Sequence, residues 1–531
     1  MAEAERVELV AEVPRRGSVR GPHGGVACDH PLAAAAGLTA LREGGSAADA
    51  CIAMAAVMVV VQPQYSHLGG DSFAVCWDEQ RREVSALNSS GPAPAGIDLE
   101  AYRRLGRIPL DGPMAVTVPG CVDGWAKLHA RFGRLDWRRL FDGPIELAGG
   151  GFPASRGLAR AIRAGQERIY PADYMRQVFG RVAGDGGQAV VQPALANTLG
   201  QVRDGGAAGF YQGDVARACI RALNGRGGRF EASDWTGPAR WEVPLSTPFL
   251  GVRVYTQPPP SRGLALMLAL KAYQRAAPER ASSVAAFEAM AGAFAIVNRD
   301  AGDPDVTGFD ATATLASPPA RPIGAGAASD GDTTYMLAID PQGNAVSFIQ
   351  SVFSQWGSGV FVPETGVLMN NRMRGFVLEP GHPNELAPGK RPMHTLHSYL
   401  ATVAGDDLPL SGNGQQAPGG ETLVIAGGTP GADRQPQTNL QVLEGLVRDR
   451  LDPQDALDRP RWSTSPGDER AVEVEARPGS TLAAEFAGAG LRVVEEAGWH
   501  GKFGRAFVAV KGAGGVSIGA DLRGEGLALV L

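Results

Sequence analysis

The chain has 531 residues, 44% hydrophobic and 20% charged, with 50 Lys plus Arg against 56 Asp plus Glu. That balance belongs to a folded globular protein, and a formal net charge of -6 supplies no basic field for a phosphate backbone. Disorder and nucleic-acid binding are thereby excluded as main roles, which leaves a small molecule or another protein as partner.

The opening residues, MAEAERVELVAEVPRRG, are acidic where a secretory signal is basic. The longest apolar run, Ala50 to Val61, has 12 residues, against the roughly 20 that a membrane-spanning helix requires. A cytoplasmic protein without a membrane partner is expected. Cys28, Cys51, Cys76, Cys121 and Cys219 lie among apolar or small residues and form no CxxC pair, so they read as buried thiols rather than a disulfide framework or a zinc site.

Residues 31–62 predict two helices, the first stopped by Gly44-Gly45 and the second, apolar nearly all round and hence buried, capped by Ser46. A glycine turn then leads into the strand-like run DSFAVCWD, with EVSALNSS as its hairpin partner. VDGWAKLHARF at 122–132 predicts another helix, and 151–300 reads as helical stretches separated by Gly/Pro loops, with a break at PPPSRG. SPPARPIGAGAASDGD, 317–332, has no periodicity and the composition of a mobile loop. Immediately after it, TTYMLAID, PQGN and AVSFIQSVF predict strand, turn and strand. LHSYLATV and ETLVIAGG predict further strands flanking a polar surface loop at 404–420, followed by helix TNLQVLEGLVRD and strands near 471–476, 506–511 and 526–531. Sheets covered by helices, a layered α/β or α+β architecture, follow from this alternation.

The chain has no HExxH, GxSxG or Walker motif and no Cys/His cluster at metal spacing, so neither metal nor cofactor is expected. What remains is Gly331-Asp332-Thr333-Thr334-Tyr335, where the loop runs into a strand that opens on a hydroxyl residue. Taken alone, this is two β-branched residues starting a strand.

Five segments change that reading. HPLAAAAGLTALREGGSAADACIAMAAVMVVVQPQYSHLGGDSF, VPGCVDGWAKLHARFGRLDW, GDTTYMLAIDPQGNAVSFIQSVFSQWGSGVFVPETGVLMNN, APGKRPMHT and GGTPGADRQPQ together resemble the γ-glutamyltranspeptidase family of N-terminal nucleophile hydrolases across nearly the whole chain. The resemblance implies an α+β fold, the four-layer αββα sandwich. It also implies a precursor cut by its own threonine between Asp332 and Thr333, giving a large fragment 1–332 and a small fragment 333–531 intertwined in one domain as an αβ heterodimer that could assemble further. Thr333 would be the nucleophile, and its freed α-amine, with a reference pKa near 8, the base. By the same resemblance the backbone N–H groups of Gly431 and Ala432 form the oxyanion hole, although the family usually has Gly-Gly there, and Ser351 replaces a threonine that hydrogen-bonds the nucleophile.

The glutamyl-recognition residues depart from the family. Ser90 stands where an arginine grips the α-carboxylate, His394 and Thr395 replace a serine pair, and Arg372 and Gly375, with Arg374 alongside, replace the Gln and Asp that receive the α-amino group. The local charge is thus expected to be inverted against an α-ammonium substrate, although Arg372 and Arg374 also read as ion-paired or solvent-facing. His394 is the histidine expected to donate to substrate, His67 reads as structural, and Trp356 as pocket wall or core. The family's branch without glutamyl recognition is the better match, and an amide-cleaving acyltransferase or hydrolase is the leading reading. Carbon-carbon bond cleavage in alkylproline biosynthesis, genuine γ-glutamyl transfer and a non-catalytic paralogue stay open.

Overall fold

The computed structural model describes residues 16–169, 171–276, 282–319, 332–404, 420–465 and 468–531. Most of the expected loop at 317–332 and of that at 404–420 lies outside them.

Two seven-stranded sheets hold the molecule together. In chain order their strands are β1 (Val19–Gly21), β2 (Gly25–Cys28), β3 (Asp71–Asp78), β4 (Glu83–Ser89), β5 (Arg240–Glu242), β6 (Leu245–Phe249) and β7 (Val252–Thr256). Then come β8 (Thr334–Ile339), β9 (Ala345–Ser351), β10 (Ser398–Ala404), β11 (Glu421–Gly428), β12 (Phe507–Gly512), β13 (Gly515–Ala520) and β14 (Leu527–Val530). One sheet runs β14-β2-β8-β9-β3-β4-β5 and the other β1-β13-β12-β11-β10-β7-β6, antiparallel throughout. Residues on both sides of position 333 therefore supply strands to each sheet.

Strand alternation makes the layers. Phe73, Val75 and Trp77 of β3 and Tyr335, Leu337 and Ile339 of β8 point between the sheets, where they meet Leu400, Leu423, Ala426 and Phe507 of the opposite sheet. The alternate residues Ala74, Cys76, Met336 and Ala338 face outward onto α1 (Pro31–Arg42) and α2 (Ala47–Val61). All fifteen residues of α2 are buried, as its all-round apolar sequence requires, and Ser46 and Asp49 close a reciprocal capping box at its start. On the far side, α3 (Gly263–Ala276) and α4 (Ser283–Asp300) cover the second sheet. The result is the four-layer αββα sandwich.

The hairpin β3–β4, the β8–turn–β9 unit and the strands β10 and β11 lie where the sequence places them, and all five cysteines are buried. Three strands of the central region, β5 to β7, arise in a stretch read as helices and loops. Helix α5 (Gln435–Leu443) begins three residues before the predicted start and ends in a π-helical turn, Glu444–Arg448. No helix among the described residues is long and apolar enough to cross a membrane.

The two sheets pack tightly against each other at the end of β11. A Cβ built on Gly428 would lie 2.4 Å from the buried Tyr335 ring. Gly428→Ala is expected to lower stability by about 1–3 kcal/mol through overpacking, read as a lower thermal unfolding midpoint.

Candidate active site

Thr333 immediately precedes β8, on the same face as Tyr335, so its side chain enters the gap between the sheets at their edge. Ser351 ends β9 on the neighbouring strand, and Asp71 opens β3 opposite Ser351. The three thus form a row across adjacent strands, all buried.

The row has a chemical direction. Thr333 Oγ1 lies 3.4 Å from Ser351 Oγ, which accepts from the Phe353 N–H at 2.7 Å and donates to the Asp332 carbonyl at 2.8 Å. The threonine hydrogen is directed to the serine, leaving oxygen lone pairs for a nearby carbon, while the serine hydrogen polarises the carbonyl of the Asp332–Thr333 bond. Asp332 N–H donates to the Phe353 carbonyl at 2.8 Å, and Phe353 takes a φ of 80°, a left-handed conformation that a bulky residue rarely adopts. Ser351→Ala is expected to slow any reaction at this carbonyl by roughly 10²–10³-fold, the usual effect of removing one preorganised donor, with Ser351→Thr restoring much of it. The fraction of chain cut over time reads this directly.

On the β2 side of Thr333 stands Arg505. Its Nη2 and Nη1 meet the two Asp332 carboxylate oxygens at 2.8 and 3.3 Å, its Nε donates to Asp29 at 2.8 Å, and Nη2 also reaches the Thr333 carbonyl at 3.2 Å. Burial pushes the Asp29 carboxyl up to about 7 despite Arg505, whereas the Arg505 guanidinium, although burial opposes its charge, is raised well above its ordinary value by Asp29 and Asp332 together. One cation shared by two carboxylates explains the asymmetry: Arg505 stays charged, and Asp29 receives only part of its attraction.

On the β3 side, Arg372 is fully buried against Asp71, Nε to Oδ2 at 3.0 Å, with its guanidinium carbon 4.5 Å from the centre of the Phe353 ring. Its Nη1 and Nη2 have no hydrogen-bond partner among the described residues, and the same holds for both ring nitrogens of His394 and for Thr395 Oγ1. His394 packs on Phe73, two residues along from Asp71 on the same face, with ring centres 5.1 Å apart. Burial first, and then the nearby Arg372 and Arg391 charges, hold its imidazole well below the ordinary range, so the ring is neutral.

The other expected positions divide. Gly431 and Ala432 form the turn that leaves β11, with φ of 127° and 50°. The second angle is the left-handed region that glycine would occupy more easily. Ser90 is buried, its N–H and Oγ both given to Asn88 Oδ1 at 3.0 and 2.7 Å, and its carbonyl accepts from Arg391. Arg374 is exposed, unlike the buried row. Trp356 is not a pocket wall: it lies in the helix-side core against Phe179, with its indole N–H on the Ala161 carbonyl at 2.8 Å. The strand carrying Ser351 ends before it, and a positive φ of 65° turns it to the outer layer. His67 is structural, accepting from Leu368 N–H at 3.1 Å. Charge inversion also needs correcting, because Asp71 balances Arg372.

Sequence reasoning missed Asp29, Asp71, Phe353 and Arg505. Asp71 sits inside a quoted segment, in HLGGD, and an acid after paired glycines at a strand start was an available signal; GKFGRAF carries none for Arg505.

Residues 33–531 match the family model described as Gamma-glutamyltranspeptidase. The Bacillus subtilis "Glutathione hydrolase-like YwrD proenzyme" is 31% identical, covering 96% of this chain and 99% of its own length. The Klebsiella pneumoniae "Oxamate amidohydrolase proenzyme" is 32% identical over 83% of this chain and 85% of its own. Among solved structures, a cephalosporin acylase from Bacillus halodurans superimposes with a TM-score of 0.86 at 29% identity, covering 98% of this chain and 97% of that one.

Proposed function

Since the chain belongs to the γ-glutamyltranspeptidase family of Ntn hydrolases, we propose that it cuts itself before Thr333 and then cleaves amides whose acyl group is not γ-glutamyl. The observation that carries this reading is the contact set Thr333 Oγ1, Ser351 Oγ and Asp332 carbonyl.

In the first reaction Thr333 Oγ1 attacks the Asp332 carbonyl carbon, the C–N bond breaks, the hydroxyl proton passes to the departing Thr333 nitrogen, and an ester joins Asp332 to the threonine oxygen. Water hydrolyses that ester, leaving Asp332 as a carboxylate terminus and Thr333 with a free amine. In the second, the same oxygen attacks a substrate amide, and the Thr333 amine takes the hydroxyl proton and passes it to the leaving amine. Water then releases the acid. The N–H groups of Gly431 and Ala432 receive the oxyanion.

A substrate without an α-amino group is favoured because Asp71, the buried acid in the Arg372 corner, is already engaged, and because Ser90 offers no cation to an α-carboxylate. The unpartnered atoms of Arg372, His394 and Thr395 suit a polar acyl or leaving group instead.

The test is the intact mass of freshly purified protein under denaturing conditions, beside amine release from γ-glutamyl and non-amino-acyl anilides. Fragments of 332 and 199 residues with preferred turnover of the latter are expected. An uncut chain that releases no amine refutes the proposal, and preferred turnover of the γ-glutamyl anilide refutes its substrate half.

A further inference from the structure

We infer that Arg505 is the carboxylate anchor of the acyl site, and that the preferred acyl donors are half-amides of four-carbon dicarboxylic acids. This rests on the self-cleaving amidase reading and names the substrate class for it.

The chain carries its own acyl donor at this site. Asp332 is an aminosuccinyl group: its carbonyl carbon is the one Thr333 would attack, and its carboxylate, separated from that carbon by two others, lies in the Arg505 fork with contacts of 2.8 and 3.3 Å. The ester formed during self-cleavage joins this same acyl group to Thr333 Oγ1, so the first acyl-enzyme to be hydrolysed here has its carboxylate in that fork. Arg505 is not free to swing elsewhere. Its Nε is tied to Asp29, its Nη2 to the Thr333 carbonyl, and the guanidinium lies 4.8 Å from the centre of the Tyr65 ring. Release of Asp332 frees the hydrogens that pointed at its carboxylate while the other ties remain, presenting a fixed, planar, charged donor pair beside the nucleophile.

A succinyl amide repeats the Asp332 carbon skeleton from reacting carbonyl to carboxylate. The step balances as ordinary acyl transfer: the Oγ1–acyl bond forms as C–N breaks, the hydroxyl proton leaves on the amine, and water then yields succinate and regenerates the hydroxyl. A two-carbon donor such as an oxamic amide, with its carboxylate directly on the carbonyl, falls two carbons short of the fork. Arg372 is the competing anchor, but it pairs one to one with Asp71, whereas Arg505 holds a second carboxylate, that of Asp332, besides its fixed partner Asp29.

The experiment uses self-cleaved wild-type protein and the 4-nitroanilides of succinic, butyric and oxalic acids. The succinyl compound is expected to exceed butyryl, its uncharged match in length, by roughly 10²-fold in kcat/KM, the scale of a charge-assisted bidentate contact, and also to exceed the oxalyl compound. In Arg505→Gln that ratio should fall below about 10. Because this variant removes a contact to Asp332 and could fail to cut, a second arm uses binding alone: succinate should raise the unfolding temperature of cut wild type but not of uncut Thr333→Ala, whose fork holds Asp332. Equal turnover of succinyl and butyryl anilides, or no succinate shift in cut protein, overturns the anchor while leaving the amidase reading standing. An uncut wild-type chain overturns both.

Discussion

Thr333→Ala should leave one chain of 531 residues where wild type is expected to give 332 and 199, and amide turnover should fall by something on the order of 10⁶, the scale of losing a nucleophile that works as a unit with its base. The substitution removes the attacking oxygen and, by preventing cleavage, also denies residue 333 the free amine that would act as base. The remaining pieces, Ser351 on the Asp332 carbonyl and Arg505 on its carboxylate, stay in place, so the variant should fold like wild type. Circular dichroism matching the parent beside an uncut mass separates lost chemistry from lost structure. Thr333→Ser keeps an oxygen and should still cut, since the methyl group positions the side chain but takes no part in bond making. Wild-type activity in the alanine variant would remove Thr333 from the mechanism altogether.

The largest stability effect is expected at Asp71. It and Arg372 are both inaccessible to solvent, and burial works against each: the Asp71 carboxyl is pushed up to about 6 although Arg372 opposes the shift, and the Arg372 guanidinium is pushed down although Asp71 opposes that one. Desolvation therefore outweighs mutual attraction on both sides. Such a pair is costly to break rather than strongly stabilising in itself. Asp71→Ala should cost about 3–5 kcal/mol, because it strands a buried guanidinium, while replacing both residues, Asp71→Leu with Arg372→Met, should be close to neutral or even stabilising. Urea unfolding of the uncut Thr333→Ala background gives both values on a single covalent chain. A double variant as unstable as the single one would mean that the pair itself, not the stranded charge, sets the stability.

The fold was readable where local chemistry and tertiary structure agree. Helix α2 is apolar on every side and has a serine cap, and a helix of that kind can only be interior. Strands β8 and β9 alternate around a Pro-Gln-Gly-Asn turn, with Asp340 accepting from the Gln342 and Asn344 N–H groups at 3.0 Å. By contrast, LSTPF and VRVYT, which became β6 and β7, are short, and one contains proline, tolerated because β6 is an edge strand. Thr333 and Ser351, which the structure brings together, were legible through matched segments. Arg505 and Asp29 were not, since they are far apart in sequence, meet only through the strand order β14-β2-β8, and belong to no local pattern. Trp356 shows the limit from the other side: its proximity in sequence to Ser351 suggested the pocket, but the chain leaves β9 through left-handed Phe353 and Trp356, and the indole lies in the helix-side core.

Strand β8 is threaded between β2, from the start of the chain, and β9, while the arginine that holds Asp332 arrives just before β12, near the end. The Asp332 carbonyl can thus meet its serine and its arginine only after the ribosome has released almost everything and the sheet has assembled around it. Self-cleavage would then serve as an inspection step: a misassembled copy stays in one piece and inert. The proportion of cut chains in a cell extract would count correctly built molecules, a folding assay that the protein performs on itself.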